Sequence, residues 1–71
     1  MKPNEHCPYC GSEYISYADY RLEYAGGILK EIDFCICENC RRNFNVEVDY
    51  FPHILRYYKS STYELLREEE L

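Results

Sequence analysis

Two short stretches carry the chemistry of this chain: "CPYCG" at 7–11 and "CENC" at 37–40. Each holds two thiols in C-x-x-C spacing, which turns both sulfurs to one side of a tight loop. Two such loops can close a tetrahedron around one ion, at metal–sulfur distances of about 2.3 Å. Cys7, Cys10, Cys37 and Cys40 are therefore the expected ligands of one structural Zn2+. Four thiolates fill the coordination sphere and leave no place for a reactive water, so such a metal holds structure and does no catalysis. Gly11 follows the first pair, where a positive φ lets a backbone N–H turn toward sulfur and offset its charge.

The chain has five cysteines, an odd number that suits neither four ligands nor a closed set of disulfides. Cys35 is the one left over. A Cys35–Cys40 pairing would leave four residues between the ligands, too wide for a knuckle like that of Cys7 and Cys10. Cys35 is expected to be a small hydrophobe near the site. A thiol that swaps in on oxidation is the alternative. His6 adjoins Cys7 and is expected to be a solvated neighbour. The sequence has no Ser-His-Asp spacing, phosphate-cradling glycine loop or H-E-x-x-H helix. Glu31 and Asp33 form a carboxylate pair on one strand face, which reads as a solvated face. The chain is not expected to be an enzyme.

What must position these loops is a small domain. With 71 residues the chain buries little apolar surface and needs a staple, for which the cysteines are the candidate. No apolar run is long enough to cross a membrane as a helix. The start "MKPNEHCP" lacks the apolar segment of a signal peptide. A reducing, cytoplasmic setting is expected, which favours metal over disulfides. Period-two alternation marks three strands: Ala18, Tyr20, Leu22 and Tyr24; Ile28, Ile32, Phe34 and Ile36; and Phe44, Val46, Val48 and Tyr50. A three-residue loop, Ala25-Gly26-Gly27, would pair Tyr20 with Ile32. A two-residue loop would instead set Leu22 against Glu31 and Tyr20 against Asp33, the less favoured register.

From residue 51 the character changes. Pro52 suits the first turn of a short helix carrying Ile54, Leu55 and Tyr58. Ser61 with Glu64 forms a capping box ahead of Leu65 and Leu66. The expected organisation is a ribbon over 1–50 and a helical extension over 51–71, in a single domain.

The knuckles, the intervening hairpin and the run "FCICENCRRNF" resemble the zinc-ribbon family over about residues 7–50. The second half of the match resembles the ribbons of transcript-cleavage factors and small RNA polymerase subunits, which carry aromatics where Phe34 and Phe44 stand. The resemblance implies a small, metal-stapled β fold: a three-stranded antiparallel sheet with zinc at one end, held by Cys7, Cys10, Cys37 and Cys40. It does not extend to cleavage, because the hairpin tip reads "AGGIL" where those ribbons place adjacent acids.

Two functions are open. The net charge is −5, and four thiolates with one divalent ion would take it to −7. That suits a protein partner with a basic surface, and an adaptor or modulator role in transcription or replication machinery. Tyr57, Tyr58, Tyr63, Leu65 and Leu66 would form its docking helix, unless that segment is a lid over the sheet. The alternative is nucleic-acid binding, with Tyr17 stacking on bases and Arg21, Arg41 and Arg42 on phosphates, against the negative field. A rubredoxin-like iron electron carrier is a minor alternative, although Arg41 stands where rubredoxins carry glycine. Nine tyrosines on a short sheet also leave open an exposed edge that pairs with a second copy.

Overall fold

A computed structural model describes residues 5–50 and 53–70. They form one five-stranded antiparallel sheet in simple sequence order: β1 (Ile15–Ala25), β2 (Ile28–Cys37), β3 (Asn43–Tyr50), β4 (His53–Lys59) and β5 (Leu65–Glu70). No helix occurs among the described residues.

The expected three-stranded ribbon with a helical extension is thus corrected. Residues 53–59 and 65–70 add two strands edge-on to the sheet, with Val46 opposite Tyr57 and Val48 opposite Leu55. The segment "HILRYYK" satisfies both periods at once: Ile54, Leu55 and Tyr58 share a helical face, while Leu55 and Tyr57 share a strand face. The strand wins because β3 offers a free ladder and a row of apolar neighbours, whereas a short isolated helix has neither. The expected capping box is a turn. Tyr63, at φ 58°, donates its N–H to the Lys59 carbonyl at 2.9 Å, and the Glu64 N–H reaches the Thr62 hydroxyl at 3.4 Å. Pro52 lies outside the described residues.

The first hairpin also differs from expectation. Gly26 and Gly27 both have positive φ (58° and 77°) and form a two-residue turn, with Ala25 opposite Ile28, Leu22 opposite Glu31 and Tyr20 opposite Asp33. That turn geometry matches the twist of the strands. A bulge between Tyr17 and Asp19 absorbs the one-residue slip, so Tyr17 still meets Cys35.

The core lies on one face of the sheet. Phe44, Val46, Val48, Leu55 and Tyr57 are fully buried there, with Cys35 and Cys37 from β2. The inward residues of β2 are its odd ones, including Glu31 and Asp33, while Ile32, Phe34 and Ile36 are half-buried on the outer face. The reading of Glu31 and Asp33 as a solvated pair is therefore corrected: Asp33 is fully buried. The cause is parity. Cys37 must turn inward to join the other sulfurs, and alternation carries Cys35, Asp33 and Glu31 with it.

The N-terminal arm covers the inner face at the cysteine end. Glu5 and Cys7 are buried, and the His6 N–H donates to the Tyr57 hydroxyl at 3.2 Å. The outer face is held by charge: Lys30 lies 2.9 Å from Glu47, and Arg56 lies 2.7 Å from Asp49 and 3.3 Å from Glu68. These half-exposed ladders tie β2 to β5 across three strand boundaries, each pair contributing about 0.2–1 kcal/mol.

Candidate metal centre

The two cysteine loops are the same object built twice. In the first, the Cys7 N–H donates to the Ser12 carbonyl at 2.9 Å and the Gly11 N–H to the Cys7 carbonyl at 2.8 Å. In the second, the Cys37 N–H donates to the Arg42 carbonyl at 3.0 Å and the Arg41 N–H to the Cys37 carbonyl at 2.9 Å. Each loop needs a left-handed residue four positions after its first cysteine: Gly11 at φ 79° and Arg41 at φ 63°. The β4–β5 turn repeats the pattern without sulfur, with Lys59 in the place of the first cysteine and Tyr63 in the left-handed position.

The second loop is joined to the segment just before β1 by the Glu38 N–H, which donates to the Tyr14 carbonyl at 2.8 Å. The loops therefore face each other across the start of the hairpin. The sulfurs of Cys7, Cys10, Cys37 and Cys40 all lie within 4.8 Å of one another. Cys7 and Cys40 approach to 3.5 Å, and Cys10 and Cys37 to 3.6 Å. A tetrahedron with metal–sulfur bonds of about 2.3 Å has edges of about 3.8 Å, so the four fit a single ion. This cluster can hold a metal ion and is compatible with a zinc ribbon.

The surroundings favour thiolate. Backbone N–H groups of Tyr9 and Cys40 point at the Cys7 and Cys37 sulfurs, both at 3.4 Å, and the Asn39 amide reaches Cys10 at 3.6 Å. The Ser12 N–H, then the Asn39 amide, bring the Cys10 thiol down to about 6. Burial pushes the Cys7 thiol up to about 12. Without an ion, Cys7 is thus biased toward the thiol and Cys10 toward the thiolate. A divalent cation held by these four sulfurs would favour the thiolate form of each.

Cys35 lies outside the cluster, 3% exposed in the core, with its sulfur 3.8 Å from a Glu5 carboxylate oxygen. The His6 ring is partly exposed, its Nδ1 4.0 Å from Glu13.

The other candidate residues are dispersed. Tyr57, placed in a docking helix by the sequence, is a fully buried core strand residue, and Leu66 packs beside the core. Tyr58 is half-buried, while Tyr63 and Leu65 are exposed on the last turn and strand. Tyr17 is 42% exposed on the inner face, where burial and then the Glu5 charge push its phenol up. Arg21 lies on the outer face over the Phe34 ring, at 5.9 Å. Arg41 and Arg42 instead join Tyr9, Asn43, Lys59 and Ser60 around a groove of about 540 Å³, which neither Tyr17 nor Arg21 lines. The Arg42 guanidinium stacks 5.0 Å from the Tyr9 ring. Sequence reading could not find this groove, because Tyr9 and Lys59 meet Arg42 only through the strand order.

The chain matches no family model, no curated protein and no solved structure. No helix among the described residues is long and apolar enough to cross a membrane.

Proposed function

We propose that this chain is a zinc-stapled β-sheet module, without catalysis of its own, that works as a protein-interaction adaptor. One observation carries the reading. At the hairpin end, away from the cysteines, Tyr24, Ile28 and Leu29 stand 38–75% exposed beside Tyr50, and with it line a shallow apolar hollow. A molecule short of core material would bury these side chains if they served its own fold. With a net charge of −5, the partner that fits is a protein whose apolar contact is ringed by Lys and Arg. The zinc-ribbon resemblance suggests transcription or replication machinery as its setting. Four sulfurs with no open position support a structural ion, and zinc is the ion proposed. A purified protein that is colourless and carries one zinc per chain supports this, whereas a coloured iron form would support the electron carrier. Affinity capture from the native cells with wild type and Leu29→Asp tests the adaptor role. The wild type should retain a specific protein that Leu29→Asp loses, and identical captures would overturn the reading.

A second reading rests on the groove beside the second cysteine loop. Arg41 holds a left-handed conformation that glycine adopts more cheaply, and such strain collects at functional sites. With Arg42, Lys59 and Tyr9 it presents cations and an aromatic ring to a phosphate and a base. Anisotropy titration at low salt with single-stranded oligonucleotides tests it. Binding that weakens in Arg42→Ala supports it, and no binding removes it.

A further inference from the structure

The two edges of the sheet are protected to very different degrees. β5 carries Arg67, Glu68, Glu69 and Glu70, charges of the kind that keep an edge from pairing. β1 carries no lysine and no proline, and exposes Tyr20, Leu22 and Tyr24 along its length. Among the described residues no strand pairs with its outer side.

The hydrogen-bonding phase of that edge follows from the turn. Ala25 and Ile28 flank a two-residue turn and share its bonds, so Glu23 and Arg21, in step with Ala25, also bond to β2. Tyr24, Leu22 and Tyr20 therefore turn their peptide groups outward. In keeping with this, the Tyr20 N–H donates to its neighbour's side chain, Asp19 Oδ1, at 2.8 Å.

A second copy running antiparallel along this edge must match outward groups with outward groups and inner face with inner face. That allows one residue at a time on the two-fold axis, and side-chain charge chooses among them. With Arg21 on the axis, Arg21 meets Arg21 and Asp19 meets Glu23. With Glu23 on the axis, Glu23 meets its own copy. Tyr20 on the axis runs Leu22 into the bulge that follows Tyr17, and Tyr24 on the axis leaves almost no overlap. With Leu22 on the axis every pair is favourable: Leu22 on Leu22, Tyr20 beside Tyr24 twice, and Arg21 beside Glu23 twice. Arg21 and Glu23 are 64% and 48% exposed and 3.9 Å apart within the chain, so both can turn to a neighbour.

We propose that β1 is a homodimerisation edge, at which two copies join antiparallel with Leu22 on the axis into one continuous sheet. About six backbone hydrogen bonds form across the join. The contact is isologous and closes on itself, which limits growth to two copies. Asp19 gives up the Tyr20 N–H to a carbonyl of the second copy, and the bulge ends the pairing segment. This goes beyond the adaptor reading and does not depend on it: of the residues around the hollow it draws only Tyr24 into the join, and it leaves Ile28, Leu29 and Tyr50 open.

Sedimentation of the metal-loaded full chain at tens of micromolar tests it. Wild type should sediment at twice the chain mass. Leu22→Lys sets two ammonium groups against each other on the axis and should weaken association at least about tenfold. Arg21→Glu alone should also weaken it, and the double exchange Arg21→Glu with Glu23→Arg should restore it to within about threefold. All these side chains are exposed, so metal content should stay at the wild-type value. A monomeric wild type overturns the proposal. So does a dimer indifferent to Leu22→Lys, or a double exchange as weak as the single one.

Discussion

The cysteine end and the hairpin end of this sheet share strands but not a means of support. At the first, the arm with Glu5 and Cys7 lies over Cys35, Cys37, Phe44 and Tyr57, and none of these residues is more than 5% exposed. At the second, Tyr24 is 75% exposed, and the same β1 and β2 continue with little beyond their ladder and a glycine turn. The difference teaches where a domain of this size puts its stability. Burial is concentrated around the four-cysteine cluster, and the rest of the sheet is held by continuity with it. The end without a core is also where the molecule has surface to give to others.

The sharpest way to break this comparison is to remove the clamp. Cys37→Ser, or exhaustive chelation, should abolish cooperative unfolding of the whole chain by circular dichroism. An ion-free form that stays folded would show that the hairpin end needs no clamp. Acid should do the same by proton competition. The Cys10 thiol has its folded-state value lowered from 9.0 to about 6, so its contribution is present above 9.0 and is lost as the pH falls through about 6. Protons compete with the ion for the sulfurs, so metal release and loss of structure should coincide as the pH falls.

Next in size is the contrast between two apolar truncations. Phe44→Ala in the core should cost about 3–5 kcal/mol in urea unfolding. Leu29→Ala at the hairpin end should stay within about 0.5 kcal/mol. Similar costs would mean the two ends are equally packed. Smaller again is Tyr57→Phe, which removes the acceptor for the His6 N–H and should cost about 1 kcal/mol. Amide exchange at His6 should quicken while that of the hairpin end stays unchanged. Finally, Arg41→Gly should stabilise the second cysteine loop by about 1 kcal/mol, because glycine takes the left-handed conformation without steric cost. For a domain of this size that appears as a melting temperature higher by about 4–8 °C. No change would mean that Arg41 gains elsewhere what its backbone loses.

Much of the cysteine end was legible because its information is local. Spacing within each C-x-x-C loop, and glycine at 11, specify a loop whatever lies beyond. The alternation in β1, β2 and β3 was legible for the same reason. The last two strands were not. "HILRYYK" and "LLREEE" suit a helix when read alone, and become strands because β3 presents an unpaired ladder. The hairpin register was also hidden, because it depends on a bulge after Tyr17 that leaves no mark in residue type.

The sequence by itself determined that two sulfur loops of one kind would be joined by a hairpin, since turn chemistry and period-two alternation act over a few residues. Only the tertiary structure decided which face of β2 turns inward, what residues 53–70 become and which cations gather beside Tyr9. Those outcomes depend on side-chain parity and strand order, which pass from one strand to the next across the sheet and are set at the point where Cys37 must meet Cys10.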